Sequence, residues 1–346
     1  MRYATVSRRR KHAEQSNVGL QDLPPSGEKQ IIVCGRISGL GDMLQQAAKC
    51  ALFAERHGID CFIDWRKSFY SRHGDNINLF KSMIYNDDLK CITELNDYES
   101  HLARCKNVDD PKEAEKLFDL NFEFGDQTSV YVSCPIPALQ PSDYFRYLGK
   151  FYFPEDVYQA ASSFMEKIDS RRLIGIHYRH GNGEFSETKP DYIVRSEIET
   201  IYEKYKKLSE QYCNSMAFVS TDSIISYNIF REVFDPSEMI VFDKSFLPPQ
   251  IGPMHYANFL DETLLLNSNE SLFSTLVEMV IMSKCSMIFR AHFGSFPDWS
   301  CSKLLENNEG RADLIIKYEY ARNPFQSHKK SFQAFQLAVG KVLKIE

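Results

Sequence analysis

The chain has 346 residues, a formal net charge of −6, 43% hydrophobic residues and 25% charged residues. This is a globular composition, long enough for two domains of ordinary size. The acidic balance argues against a nucleic-acid-binding protein, which carries a basic excess, and leaves room for a local basic patch around an anionic ligand.

Residues 1–29 are polar, carry the basic run Arg8-Arg9-Arg10-Lys11 and end in Pro24-Pro25-Ser26-Gly27. No apolar run follows the basic one, so it does not read as a secretory signal. The expectation is a disordered extension whose basic run offers a peripheral contact with a membrane surface. Order is expected from Gln30. Ile31 to Cys34 is a short apolar run fit for a buried strand. Gly35 to Asp42 is a loop containing Gly39 and Gly41. Met43 to His57 places Leu44, Ala47, Ala48, Ala51, Leu52 and Ala54 at helical spacing, and Gly58 stops the helix. Cys61 to Ile63 is the next strand, which completes a β-α-β unit and points to a parallel sheet. Residues 66–128 are less regular. Val130 to Val132 reads as a strand and 154–168 as a helix.

The pattern restarts at Leu173. Residues 174–178 form a strand, followed by a glycine-rich loop, a helix over 191–212 and a strand over 216–219. Thr221-Asp222-Ser223 opens a helix. Strands over 240–242 and 287–289 flank a helix over 271–284. A strand over 314–316 and a helix over 329–344 close the chain. The fold class expected is α/β, with two Rossmann-like domains facing a cleft. The division is 1–29 extension, 30–165 N-terminal α/β domain, 166–325 C-terminal Rossmann-like domain and 326–346 C-terminal helix. Ligands in such folds lie beyond the carboxyl ends of the strands.

No stretch of about 18 apolar residues occurs, so no transmembrane helix is expected. The nine cysteines (Cys34, Cys50, Cys61, Cys91, Cys105, Cys134, Cys213, Cys285 and Cys301) are scattered, with no CxxC pair. That spacing argues against zinc and against a disulfide framework, and fits buried thiols in a reducing, cytoplasmic setting.

The most informative segment is His177-Tyr178-Arg179-His180-Gly181-Asn182-Gly183-Glu184, just after a predicted strand. Arg179 has a fork of donors suited to phosphate oxygens. His177 and His180 can donate to phosphate or ribose, and the glycines let backbone approach a ligand. Glu184 or Glu187 can take the proton from an attacking hydroxyl. Gly39-Leu40-Gly41-Asp42 opens a helix whose N-terminus favours anions, but it is not the GxGxxG pattern, and no Walker A motif occurs. Asp64-Trp65-Arg66 ends a strand; Trp65 is a platform for a sugar ring, and Asp64 and Arg66 can grip hydroxyls. Thr221-Asp222-Ser223 reads first as an N-cap, with Asp222 placed to order the neighbouring loop. Glu278 lies among apolar helix residues, where it can accept from a base amino group. The segment Arg290 to Phe296 places Gly294 and Ser295 as donors for a diphosphate. No D-x-D pair occurs, so arginine and helix dipoles would have to meet the donor's charge.

With these residues in place, the chain resembles the α1,6-fucosyltransferases of glycosyltransferase family 23, in particular the rhizobial nodulation-factor enzymes. The specific block is 177–184. Gly39 to Asp42, Ile63 to Arg66, Thr221 to Ser223, Gly252-Pro253-Met254-His255 and the stretch 276–295 follow in the same order. The resemblance spans about residues 30–318. It implies a GT-B-like pair of Rossmann-type halves, with GDP held mainly by the C-terminal one. It implies inverting, metal-independent transfer of L-fucose from GDP-fucose to a carbohydrate acceptor, with no cofactor and no nucleic acid. His177, Arg179, His180, Asn182 and His255 would lie on the donor side, and Gly294 and Ser295 along its phosphates. Glu278 stands where the family has a guanine-recognising Asp. The catalytic carboxylate maps to Glu184 or Glu187, with Arg179 beside it. Gly39, Gly41, Asp42, Asp64, Trp65 and Arg66 would face the cleft and acceptor. Two departures are the Glu at 278 and the run Phe185 to Pro190, which differs from the family's text and leaves the acceptor open. Transfer from another GDP- or UDP-sugar, or non-catalytic binding of a nucleotide or glycan, are alternative readings of the same residues.

Overall fold

The computed structural model describes residues 30–66, 68, 79–82, 84, 86–87, 89–91, 98–119, 129–136, 141–168, 171–180, 190–212, 214–246, 268–291 and 295–318. The expected extension over 1–29 and the expected helix over 329–344 lie outside them.

Among the described residues, ten strands form two all-parallel sheets. The first contains β1 (Ile31–Cys34), β2 (Asp60–Ile63), β3 (Lys90–Cys91), β4 (Lys106–Val108) and β5 (Val130–Val132), in the order β3-β2-β1-β5-β4. The second contains β6 (Arg172–Tyr178), β7 (Ser215–Thr221), β8 (Met239–Val241), β9 (Met287–Ala291) and β10 (Ile315–Tyr318), in the order β10-β9-β6-β7-β8. The helices are α1 (Leu40–His57), α2 (Leu79–Ser82), α3 (Tyr98–Arg104), α4 (Pro111–Leu117), α5 (Pro141–Leu148), α6 (Glu155–Glu166), α7 (Asp191–Gln211), α8 (Ile224–Val233), α9 (Ser268–Ser283) and α10 (Asp298–Asn307). Both sheets build outward from a central strand and then return to its other side. In the second sheet this reversal falls between β6 and β9. Such a switch point opens a crevice at the carboxyl ends of the strands.

The central strands are apolar runs because helices cover both faces. Ile174 and Ile176 are buried, as are Ala217, Phe218 and Val219 of β7. Helix α1 begins at Leu40, three residues before the periodicity predicts, and ends at Gly58, whose φ of 63° is the left-handed conformation a glycine cap adopts. The structure adds elements within the stretch that reads as irregular. Helix α4 has Asp110 as N-cap, its Oδ1 accepting from the Lys112 N–H at 3.0 Å, and Pro111 follows it.

One contiguous apolar cluster takes buried residues from both sheets, while Ile31, Val33 and Phe62 of the first sheet form a small second one. Helix α10 follows β9 yet packs against α5 and α1 of the first half, as well as α9. Trp299 Nε1 donates to the Phe151 carbonyl at 3.1 Å, and its ring meets Phe153 with centroids 4.5 Å apart. Helix α6 packs on α9.

Candidate active site

The register of the second sheet places His177 beside Ser220 on β7 and beside Arg290 on β9. Aligned positions of neighbouring parallel strands share a face, so these three side chains gather at the switch point. His177 is buried and stacks on Phe296, with centroids 4.8 Å apart and planes at 17°. Burial pushes its imidazole down to about 3, and the Arg179, Arg290 and Lys244 cations push in the same direction. The imidazole is therefore uncharged at neutral pH, and each of the three cations around it has a carboxylate beside it: Asp298 for Arg290, Glu278 for Lys244 and Asp222 for Arg179.

Arg290 makes a buried ion pair with Asp298, which also accepts from the Gln45 amide of α1. Burial raises the Asp298 carboxyl, and Arg290 and Gln45 oppose that rise. Arg179 is half-buried and 3.9 Å from Asp222. Asp222 Oδ1 accepts the His180 backbone N–H at 3.0 Å, which ties the loop after β6 to the loop after β7. Asp222 thus orders its neighbour as the sequence suggests, while Ser223 is the N-cap of α8. His180 is buried, with Nδ1 2.9 Å from Ser223 Oγ and 3.1 Å from Ser226 Oγ.

Glu278 projects from α9 and is buried. Its Oε2 accepts from Lys244 Nζ at 2.7 Å and from the Ser220 hydroxyl at 3.1 Å. Burial raises this carboxyl from its ordinary value, against the pull of Lys244 and Ser220. Three buried polar atoms at this end of the sheet, Glu278 Oε1, Thr221 Oγ1 and His180 Nε2, have no hydrogen-bond partner among the described residues. Buried groups of this kind are rare in a finished core, and a ligand is a common reason for them.

The carboxyl end of the first sheet is more closed than the sequence suggests. Trp65 is fully buried, with an accessibility of 0%, and Phe80 meets it edge-on at 5.7 Å. It therefore fills the core and presents no platform to a sugar. Arg66 grips Asp64 with two bonds, of 2.7 and 3.0 Å, and Tyr131 adds a third to the same carboxylate at 3.3 Å. Asp64 and Arg66 are buried as well, so they form an internal ion pair and do not reach for hydroxyls. Gly41 is also buried, because the Ser295–Phe296 backbone closes over it; a Cβ there would lie 2.5 Å from Phe296 N. Asp42 accepts from the Ser295 hydroxyl and lies 3.6 Å from Arg36. Ser295 therefore bonds across to the first half instead of standing free for a phosphate. Gly39 is the uncapped N-cap of α1. Asn182, Glu184, Glu187, His255 and Gly294 lie outside the described residues.

The sequence reading missed Lys244, Asp298 and Gln45, and gave Arg290 no role. Arg290 carried a readable signal, a charged residue closing an apolar strand. Lys244 and Gln45 carried none, since each matters only through a distant partner. Among the described residues no group of three or more His, Cys, Asp or Glu could hold a metal ion, and no helix is long and apolar enough to cross a membrane.

Known proteins share the fold and part of the sequence. The family model described as Nodulation protein Z (NodZ) matches residues 151–312, the stretch holding the second sheet through α10. Nodulation protein Z of Bradyrhizobium diazoefficiens is 24% identical to the chain, over 84% of it and 85% of that protein. The crystal structure of fucosyltransferase NodZ from Bradyrhizobium superposes with a TM-score of 0.58 at 17% identity, over 79% of this chain and 92% of that one. The crystal structure of POFUT1 in complex with GDP-fucose superposes with a TM-score of 0.53 at 10% identity, over 85% and 98%. The chain therefore has the GT-B-like α/β fold of these proteins.

Proposed function

We propose that the chain is a NodZ-like fucosyltransferase, moving L-fucose from GDP-fucose to a carbohydrate acceptor. The sequence match to Nodulation protein Z supports it, as does the fold shared with NodZ, which has been solved after soaking with GDP-fucose. The observation that carries it is the cluster of Arg179, Lys244 and Arg290 around an uncharged His177 at the switch point. Arg179, the most exposed of the three and 3.9 Å from Asp222, is the cation placed to meet the charge of a nucleoside diphosphate.

On this reading residues 30–165 form the acceptor side and residues 166–325 hold the nucleotide sugar. Glu278 Oε1 accepts from the guanine base. The acceptor hydroxyl gives its proton to Glu184 or Glu187 as its oxygen bonds to the anomeric carbon. The bond from that carbon to the β-phosphate oxygen breaks, GDP leaves with the electron pair, and the configuration inverts. Arg179 meets the charge growing on the leaving diphosphate. Because side-chain cations supply that charge, the reaction proceeds without a metal. Buried, reduced thiols suit a cytoplasmic enzyme.

Thermal denaturation with GDP, GDP-fucose, GDP-mannose, UDP and UDP-GlcNAc, with and without EDTA, tests this. A nucleotide at about 100 times its Kd adds roughly 2.7 kcal/mol of stability. Stabilisation by GDP and GDP-fucose, unchanged by EDTA and followed by fucosyl transfer to an oligosaccharide, is expected. Stabilisation by uridine nucleotides alone, or dependence on a divalent ion, would remove the assignment.

A further inference from the structure

The two serines at the start of α8 have a consequence for the His180 ring. Ser223 is the N-cap, and its Oγ accepts from the Ile225 and Ser226 backbone N–H groups at 3.2 and 3.4 Å. Both lone pairs of that oxygen are engaged, so its remaining capacity is to donate. His180 Nδ1 lies 2.9 Å away. Ser226 is fully buried, and its hydroxyl lies 3.1 Å from the same nitrogen, with no other side-chain partner among the described residues.

Two tautomers can be weighed by counting protons. If Nδ1 carries the proton, it serves one serine oxygen and leaves at least one buried hydroxyl proton without an acceptor. If Nδ1 carries a lone pair, both hydroxyls can point at it. Unsatisfied buried donors are costly, so the second arrangement wins. With a lone pair on Nδ1, the ring holds its proton on Nε2. That atom points away from the serines, is buried, and has no partner in the described structure. Asp222 fixes the backbone of the same residue.

We propose that Ser223 and Ser226 lock His180 in the Nε2–H tautomer and so aim a fixed hydrogen-bond donor at an oxygen of the nucleotide sugar, with Ser226 acting as a positioning residue. The second half of this statement rests on the donor-site reading above. The lock is a property of the free protein. A histidine able to turn to the other tautomer would present a lone pair to the anionic donor, which repels it; the serines remove that option.

Long-range ¹H–¹⁵N spectra of the labelled full-length chain read the proton position directly, with the His180 signals identified by their loss in His180→Gln. The expected result is an unprotonated Nδ1 and a protonated Nε2 whose resonance moves when GDP is added. Ser226→Ala leaves Nδ1 with the Ser223 hydroxyl alone, so it should loosen the ring, broaden the Nε2–H resonance and raise the KM for GDP-fucose about tenfold, more than it lowers kcat, as suits one weakened hydrogen bond. His180→Gln, whose amide falls near Nε2, should bind GDP better than His180→Asn, whose amide falls near Nδ1. A protonated Nδ1 in the free protein overturns the lock and leaves the donor reading standing. The expected tautomer with no response to GDP overturns the donor reading and the aim of Nε2 together. An unchanged spectrum and KM in Ser226→Ala removes the role of that serine.

Discussion

His177 shows how one residue can couple ligand binding to acid sensitivity. In the folded chain its imidazole is held at about 3, against an ordinary value of 6.5, by burial and by three neighbouring cations. Between those values the unfolded chain takes up a proton that the folded chain refuses. The residue therefore costs nothing above pH 6.5, and its cost grows as pH falls from 6.5 towards 3. At full extent the penalty is about 4–5 kcal/mol. Urea midpoints for wild type and His177→Asn, measured from neutral to acidic pH, isolate it from the carboxylates both proteins share. The wild type should lose more stability than the variant on acidification; parallel curves would contradict the assigned environment. GDP should shrink the difference, since its phosphates add negative charge beside the ring. The sequence placed His177 at a strand end with a site-forming loop behind it. It could not show the ring's charge state, because Lys244 and Arg290 reach it from loops and strands far along the chain.

At the scale of elements, α1 and the turn before α10 form the seam between the two halves. Gly41 lets the first turn of α1 lie directly on the Ser295–Phe296 backbone. A Cβ there meets main-chain atoms at 2.5–2.6 Å, and main chain cannot swing aside as a side chain can. Gly41→Ala should destabilise the protein by about 1–3 kcal/mol and loosen the bond from Ser295 to Asp42. Gly149→Ala is the comparison: its Cβ would sit 3.1 Å from Glu306 Oε2 and 3.2 Å from Ser302 Oγ, both side-chain atoms. Denaturation midpoints should rank Gly41→Ala as the more damaging; equal losses would mean the seam yields easily. The β-α-β start, Gly58 and the strands of the second sheet were legible because they are apolar runs punctuated by glycine. Strand β4 was not, since Lys106 and Asn107 are exposed at the sheet edge and only Val108 is buried. The cap at Asp110-Pro111 was readable and was overlooked. The contact at Gly41 was beyond reach, because a glycine's neighbour across a fold leaves no trace in its local sequence.

Across the whole molecule, two sheets share one apolar core, with α10 bridging back to α5 and α1. Scanning calorimetry should show a single main transition for the two halves, because neither can open without exposing the joint surface. Two well-separated transitions would show the halves to be independent. The two-part α/β plan was legible from its repeated pattern of strands and helices; the joint was not, because Trp299 and Phe153 lie far apart in sequence and meet only in the folded chain. The same core encloses Cys34, Cys50, Cys61, Cys134, Cys285 and Cys301, all free thiols. Burial raises Cys50, Cys61, Cys134 and Cys285, and holds the partly buried Cys105 at about 12, so these sulfurs are poor nucleophiles while the chain is folded. Each is thus a native clock. An alkylating reagent marks a given cysteine only when the packing around it parts, and mass spectrometry of the tagged peptides would time the opening of Cys34 and Cys61 against that of Cys285 and Cys301 with no engineered label.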